Sequence, residues 1–234
     1  GRLDLPDLKP LYRHFNEIPV VSISNSQRAP VPYANWLATI YNGVPEALYT
    51  LHPESGEYLV FIGRISPEKR VDRAIEIAIR SGMPIRIAAK VDKVDTDYFN
   101  THIRALLDHP LVEFVGEISD NEKNDFIGNA YALLFPIDWP EPFGLTMIEA
   151  MATGTPVIAY RRASVPEVMV EGQTGFIVEN LDEAVAAVEK IAMIDRCRCQ
   201  RVFKERFSAR RMARDYVATY QKVINTGDRT PIAV

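Results

Sequence analysis

Two glutamates, Glu141 and Glu149, stand eight positions apart in the segment Glu141-Pro142-Phe143-Gly144-Leu145-Thr146-Met147-Ile148-Glu149. The apolar run Ala132-Leu133-Leu134-Phe135-Pro136 before it reads as a buried strand. After Gly144, the residues Leu145, Ile148, Met151 and Ala152 recur at helical spacing. Glu141 therefore lies on the loop leaving a strand, and Glu149 lies about two turns into the next helix. In an open parallel sheet, ligands bind outside the carboxyl ends of the strands. The free N–H groups at the helix start, near Phe143, Gly144 and Leu145, favour an anion such as phosphate. Carboxylates on both sides of an anion site suit a ligand with phosphate in the middle and hydroxyls at both ends, as a nucleotide-sugar has. The plainer reading of the same residues is a loop carboxylate between Pro140 and Pro142, and a carboxylate on a helix surface.

The elements that must position these groups follow from the apolar pattern. From residue 57 onward, strand and helix patterns alternate. Strands are expected at 58–62, 84–89, 111–115, 132–135, 156–160 and 175–178. One helix opens at Pro67 with the stripe Val71, Ala74, Ile75 and Ala78, and others cover 97–108, 120–129 and 182–193. The alternation implies an α/β fold, a Rossmann-like parallel sheet with helices on both faces. The first fifty residues differ. They offer two short strands, 18–24 and 38–43, which cannot cover both their faces without more chain. Ser208 suits the cap of a last helix that carries Met212, Tyr216, Val217 and Tyr220 on one face.

The segment from Glu141 to Glu149 resembles the E-x7-E motif of retaining family-4 glycosyltransferases, which are built of two Rossmann domains in the GT-B architecture. Gly63-Arg64-Ile65-Ser66-Pro67-Glu68-Lys69 is similar to that family's phosphate loop, and Val112 to Glu117 to its V-x-F-x-G-E strand and turn. Gly154 to Ala159, Val165-Pro166-Glu167-Val168 and Gly172 to Phe176 resemble its closing signature. The resemblance runs over roughly residues 19–180, in the family's order. It implies the C-terminal half of a GT-B fold plus a remnant of the N-terminal Rossmann domain. Residues 1–52 become the tail of an acceptor domain and a hinge, 53–207 the nucleotide-sugar donor domain, and 208–234 a crossover helix and tail. A missing N-terminal domain would leave strand edges open, which invites self-association of the fragment.

By the same resemblance, Arg64 and Lys69 clamp the diphosphate, a planar fork beside a point charge. Gly63 lets the backbone approach the ligand. Glu141 takes hydroxyls of the donor sugar and Glu149 those of the ribose. Phe143, Gly144, Leu145 and Thr146 offer backbone amides, and Gly116 and Glu117 lie beside the nucleobase. The plainer reading of Arg64 and Lys69 is a solvated basic loop pairing with Glu68. Lys90 could reach the same cleft or lie free on the surface. Trp139 either lines the sugar pocket or covers a strand end. Glu167 holds a helix start against the turn at 172–175. Ala89 and Ala163 stand where relatives often have glycine, and a methyl group at Ala89 would narrow the nucleotide cleft.

The 47% hydrophobic content fits a globular chain, and a net charge of −4 gives no general pull toward nucleic acid or membranes. The four histidines show no spacing that suggests a triad, and no metal set or other cofactor is expected. Cys197 and Cys199, two apart in a helix, point to different faces. The composition fits a cytoplasmic protein, including one that works at the inner membrane face. The leading expectation is a transferase that moves a sugar from a UDP- or GDP-sugar to an acceptor hydroxyl on a sugar or lipid-linked sugar. The rivals are a fragment that binds the donor without catalysis and a Rossmann oxidoreductase. The oxidoreductase needs a G-x-G-x-x-G fingerprint that Gly63-Arg64-Ile65-Ser66 does not supply.

Overall fold

The computed structural model describes residues 2–226. In chain order the strands are β1 (Val20–Ser22), β2 (Trp36–Thr39), β3 (Leu59–Arg64), β4 (Ile85–Lys90), β5 (Val112–Gly116), β6 (Ala132–Phe135), β7 (Val157–Tyr160) and β8 (Gly175–Val178). The last six form one parallel sheet in the order β5-β4-β3-β6-β7-β8, while β1 and β2 pair separately, also in parallel. The helices are α1 (Leu8–His14), α2 (Asn25–Arg28), α3 (Val71–Ser81), α4 (Thr96–Tyr98), α5 (Asp120–Gly128), α6 (Leu145–Thr153), α7 (Val165–Val168), α8 (Leu181–Lys190), α9 (Arg196–Arg206) and α10 (Ala209–Thr226). This is the Rossmann-like α/β architecture that the alternation implies.

Side chains of a strand alternate between its faces, and both faces of the large sheet are buried. Leu59 and Phe61 of β3 join a layer with Val71, Ala74 and Ile75 of α3 and Ala184 and Val188 of α8. Val60, between them, joins the opposite layer with Phe126 of α5, Met147 of α6 and Phe203 of α9. The run of apolar residues in β6 has the same cause: Ala132 and Leu134 face one layer, Leu133 and Phe135 the other.

Two elements depart from the sequence pattern. The helix expected from Pro67 begins only at Val71, because Ser66 to Lys69 forms a turn and Arg70 adopts a left-handed conformation at φ 56°. The helix expected over 97–108 breaks into α4, a wide π turn at Phe99–Ile103 and a tight 3₁₀ turn at Arg104–Asp108. The wide turn shifts the apolar face, so that Tyr98, Phe99, Ile103, Leu106 and Leu107 all reach the core.

The first segment does not stand apart from the rest of the chain. Val44 and Ser208 form a bridge, with Val44 N–H donating to Phe207 O at 3.0 Å and Ala209 N–H donating to Val44 O at 2.9 Å. Gly43 fits here because a side chain would meet the Ser208 carbonyl at 2.5 Å. Arg211 of α10 donates to the carbonyls of Tyr41 and Asn42, at 2.7 and 3.1 Å. In the same segment Leu11, Phe15, Ile18 and Leu37 are exposed. On α10, Met212 accepts from Gly43 N–H, while Val217 and Tyr220 are exposed. Residues 227–234, assigned from sequence to a tail, lie outside the described residues.

At the amino ends of β6 and β7, Arg196 is buried without a carboxylate partner among the described residues. Its guanidinium donates to the carbonyls of His52, Gly128 and Ala130 and to the Thr155 hydroxyl, at 2.6 to 2.9 Å. Burial lowers its pKa, and the carbonyl dipoles are what keep the charge tolerable there.

Phe207 is fully buried, with its ring 6.1 Å from that of Tyr41 and 5.9 Å from that of Phe143. Phe207→Ala is expected to cost about 3–5 kcal/mol, as large-to-small changes in a packed core do. The midpoint of urea unfolding measures this, and a loss under about 1 kcal/mol would show that the three rings do not act as a core.

Candidate functional site

In the large sheet the strand order runs outward in opposite directions from β3 and β6. The loops after these two strands therefore part, which opens a crevice at their carboxyl ends. Lys69 comes from the loop after β3 and Glu141 from the loop after β6. They meet across the crevice, with Nζ 2.6 Å from Oε2. The Lys69 ammonium also lies 4.7 Å from the centroid of the Trp139 ring, within cation–π range. The cleft has a volume of about 360 Å³ and is lined by Lys69, Phe135, Trp139 and residues 141–146. Arg2, Ile23 and Asn42 of the first segment complete the lining.

The loop carrying Glu141 is fixed through its backbone. Ser164 Oγ donates to the carbonyls of Glu141 and Phe143, at 2.8 and 3.0 Å, and Ser24 Oγ donates to that of Pro142 at 2.6 Å. Both serines are fully buried. Gly144 then starts α6 with φ 85°, a conformation that only glycine adopts cheaply, and a side chain there would strike the Met147 methyl group at 2.5 Å. This turn leaves the first N–H groups of α6, those of Leu145 and Thr146, without helical acceptors.

Gly63 and Arg64 end β3, in register with Ala89 and Lys90 of β4. Arg64 is half exposed and faces three carboxylates: Glu68 at 2.7 Å, Asp92 at 3.5 Å and Asp95 at 3.6 Å. Lys90 is exposed and pairs with Asp92 at 3.0 Å. Gly116, with φ 77°, ends β5, and Glu117 follows it on the surface. Ala89 is buried in the layer with Phe61 and Val71, so its methyl group does not narrow the cleft. Ala163 holds φ 44°, a left-handed conformation that glycine adopts more cheaply.

Glu149 is not a helix-surface carboxylate. It is 8% exposed and faces Lys123 of α5 at 3.5 Å. Burial opposes the Lys123 charge, but Glu149 and Asp120 more than offset it, so that the lysine pKa stands above its ordinary value. Burial and the facing Glu149 together push up the Tyr49 hydroxyl. Glu149 is not among the residues that line the Lys69–Glu141 cleft.

Glu167 departs from the expectation that it serves the turn at 172–175. Its carboxylate accepts the backbone N–H groups of Asn25 and Ser26, at 2.7 and 2.6 Å, and the Tyr41 hydroxyl at 3.3 Å. It ties the first segment to α7, whose Ser164 in turn holds the Glu141 loop. Sequence reasoning missed Ser24, Ser164, Arg2, Tyr49 and Lys123. Only the position of Ser164 beside Val165-Pro166-Glu167 carried a signal. Among the described residues, no helix is long and apolar enough to cross a membrane, and no group of three or more His, Cys, Asp or Glu is placed to hold a metal ion.

A Rossmann-like sheet with this switch-point cleft defines an α/β protein of the kind found in GT-B glycosyltransferases. Residues 50–206 match the family Glycosyl transferases group 1, and the chain belongs to that family. It is 24% identical over 196 residues to the phosphatidyl-myo-inositol mannosyltransferase of Mycobacterium leprae, covering 78% of this chain and 51% of that one. It is 29% identical over 194 residues to the glycogen synthase of Mycobacterium tuberculosis, covering 77% and 45%. The chain spans about half the length of these relatives. Among solved structures, it superposes on Anabaena HepE in complex with UDP and glucose with a TM-score of 0.77 at 20% identity, covering 92% of this chain and 67% of that one. AviGT4, a glycosyltransferase involved in avilamycin A biosynthesis, gives 0.75 at 23% identity, covering 88% and 64%.

Glu167→Gln keeps the shape of the latch but removes its charge. Faster amide hydrogen exchange is expected at Asn25 and Ser26, with little change in β3 to β7. Unchanged exchange at those two amides would mean that the carboxylate does not hold the segment.

Proposed function

We propose that this chain carries the donor-binding half of a retaining glycosyltransferase, which moves a sugar from a UDP- or GDP-sugar to a hydroxyl of a sugar or lipid-linked sugar. The observation that carries this reading is the meeting of Lys69 and Glu141 at the switch point, beside the unbonded first turn of α6. A cation, a carboxylate and helix-start amides within one cleft match a ligand that joins phosphate to hydroxyls. Among the solved neighbours, HepE was crystallised with UDP and with UDP-glucose, which supports a nucleotide-sugar donor here.

In this reading Arg64 and Lys69 hold the diphosphate, and Gly63 lets the backbone come close. Glu141 accepts from hydroxyls of the donor sugar. The amides of Phe143, Gly144, Leu145 and Thr146 face sugar and phosphate. Glu149 accepts from the ribose, and Gly116 and Glu117 border the base. When the bond between the sugar and the diphosphate breaks, negative charge grows on the departing phosphate oxygen. Lys69, Arg64 and the amino end of α6 stand ready to stabilise that charge, and such preorganised donors need not reorient during the reaction. Catalysis is then mostly a matter of positioning and of leaving-group stabilisation. A cytoplasmic site of action, at the inner membrane face for a lipid-linked acceptor, fits this chemistry.

Calorimetry with UDP and GDP tests the assignment. Lys69→Ala is expected to weaken binding of the preferred nucleotide by about 1.5–3 kcal/mol, the range for a charged hydrogen bond. Glu149→Gln should weaken it as well, through the ribose. Unchanged affinity in Lys69→Ala and Arg64→Ala would remove the diphosphate clamp from the reading.

A further inference from the structure

We propose that Glu141 also competes with the ligand for Lys69, and that the cleft thereby rejects the nucleoside diphosphate in favour of the intact nucleotide-sugar. The inference rests on the donor-site reading above and assigns Glu141 a role beyond contact with the sugar.

The ion pair is short and sheltered. Nζ and Oε2 are 2.6 Å apart, and the two side chains are 22% and 13% exposed. Trp139 covers the ammonium from one side. The Glu141 backbone cannot drift away, because its carbonyl is bound by Ser164 and the next one by Ser24. The other cation of the clamp differs in one respect. Arg64 is balanced by Glu68, Asp92 and Asp95, which belong to the strand-end loops around it. Lys69 is balanced by a carboxylate from the opposite wall of the cleft, the one assigned to the sugar.

A diphosphate that engages Lys69 must take it from Glu141. A carboxylate is an acceptor without protons to give, and phosphate oxygens are acceptors too. Beside a free nucleoside diphosphate, the displaced Glu141 would face like charge with nothing to bond, in a sheltered position where that is costly. A nucleotide-sugar resolves the conflict: its phosphates take Lys69, and its sugar hydroxyls donate to Glu141. The sugar thus compensates for a pair that the phosphates break. After transfer the sugar is gone, and Glu141 is free to reclaim Lys69 and drive the nucleoside diphosphate out. Glu141 is in this sense a specificity-determining residue that acts through Lys69.

The test is calorimetry on the chain as it stands, with UDP, GDP, UDP-glucose and GDP-mannose as probes. Glu141→Gln is nearly isosteric and removes only the charge. It should bind the better nucleoside diphosphate at least about tenfold more tightly than the unaltered chain, the ratio that ~1.4 kcal/mol of removed repulsion gives. The matching nucleotide-sugar should gain nothing or lose affinity. In a Lys69→Ala background, the gain from Glu141→Gln should be smaller, because no ion pair has to be broken there and only the direct repulsion between carboxylate and phosphates is left to remove. Unchanged or weaker nucleoside diphosphate binding in Glu141→Gln, with Lys69→Ala still impaired, overturns the proposal and leaves the donor site standing. Absence of binding by the unaltered chain to all four probes overturns both.

Discussion

The loop between β6 and α6 is the piece on which the site depends, and what fixes it is the satisfaction of its carbonyls. A turn that leaves a central strand at a switch point has no ladder to join, yet its polar backbone is buried. Here the carbonyls of Glu141, Pro142 and Phe143 accept from two buried serines, one on each side. With the backbone held, the glutamate side chain has a defined direction, and Gly144 can turn the chain into α6 at a positive φ. Packing then adds to hydrogen bonding: Phe143 closes a three-ring cluster with Tyr41 and Phe207. The cleft geometry is a consequence of this anchoring more than of any single charged pair.

The anchoring also explains why the first segment belongs to the site. Ser24 holds the loop, Asn42 and Ile23 line the cleft, and Glu167 collects the amides of Asn25 and Ser26. Glu167 and Ser164 sit three residues apart around α7, so one short helix reaches both the first segment and the Glu141 loop. A shift of the first segment would therefore be felt at the carbonyl of Pro142. The coupling is physical contact, carried by hydrogen bonds of 2.6 to 2.8 Å.

Much of the fold was legible in the sequence because the large sheet is buried on both faces, which leaves short apolar runs bounded by turns. β6 and β8 fall where the pattern puts them. The helix start at Val71 was not legible, because Pro67 is equally at home in a turn and nothing local announces a left-handed Arg70. The broken helix near Ile103 was hidden for a similar reason: its apolar residues are those of a helix, and only packing reveals the change of face. At the site, Lys69 and Glu141 were visible as residue types in a recognisable string. Their mutual distance was not, since it depends on two loops separated by three strands' worth of chain. Ser24 was invisible because its task is to bind backbone, and any buried serine looks the same in a sequence; Ser164 was marked only by its place beside Val165-Pro166-Glu167.

Arg196 has a consequence for how such a chain can diversify. Its guanidinium fastens the chain before β6, the chain before β7 and the approach to β3 from below, at the strands' amino ends. The chemistry lies at the other ends. Foundation and workshop are thus on separate storeys, and rebuilding one does not loosen the other. Loops at the carboxyl ends are free to change length and side chains, and with them the ligand that the cleft admits, while the scaffold beneath keeps its stability. A lysine could not replace Arg196 in this duty, because a single ammonium cannot span carbonyls on two segments and a hydroxyl on a third.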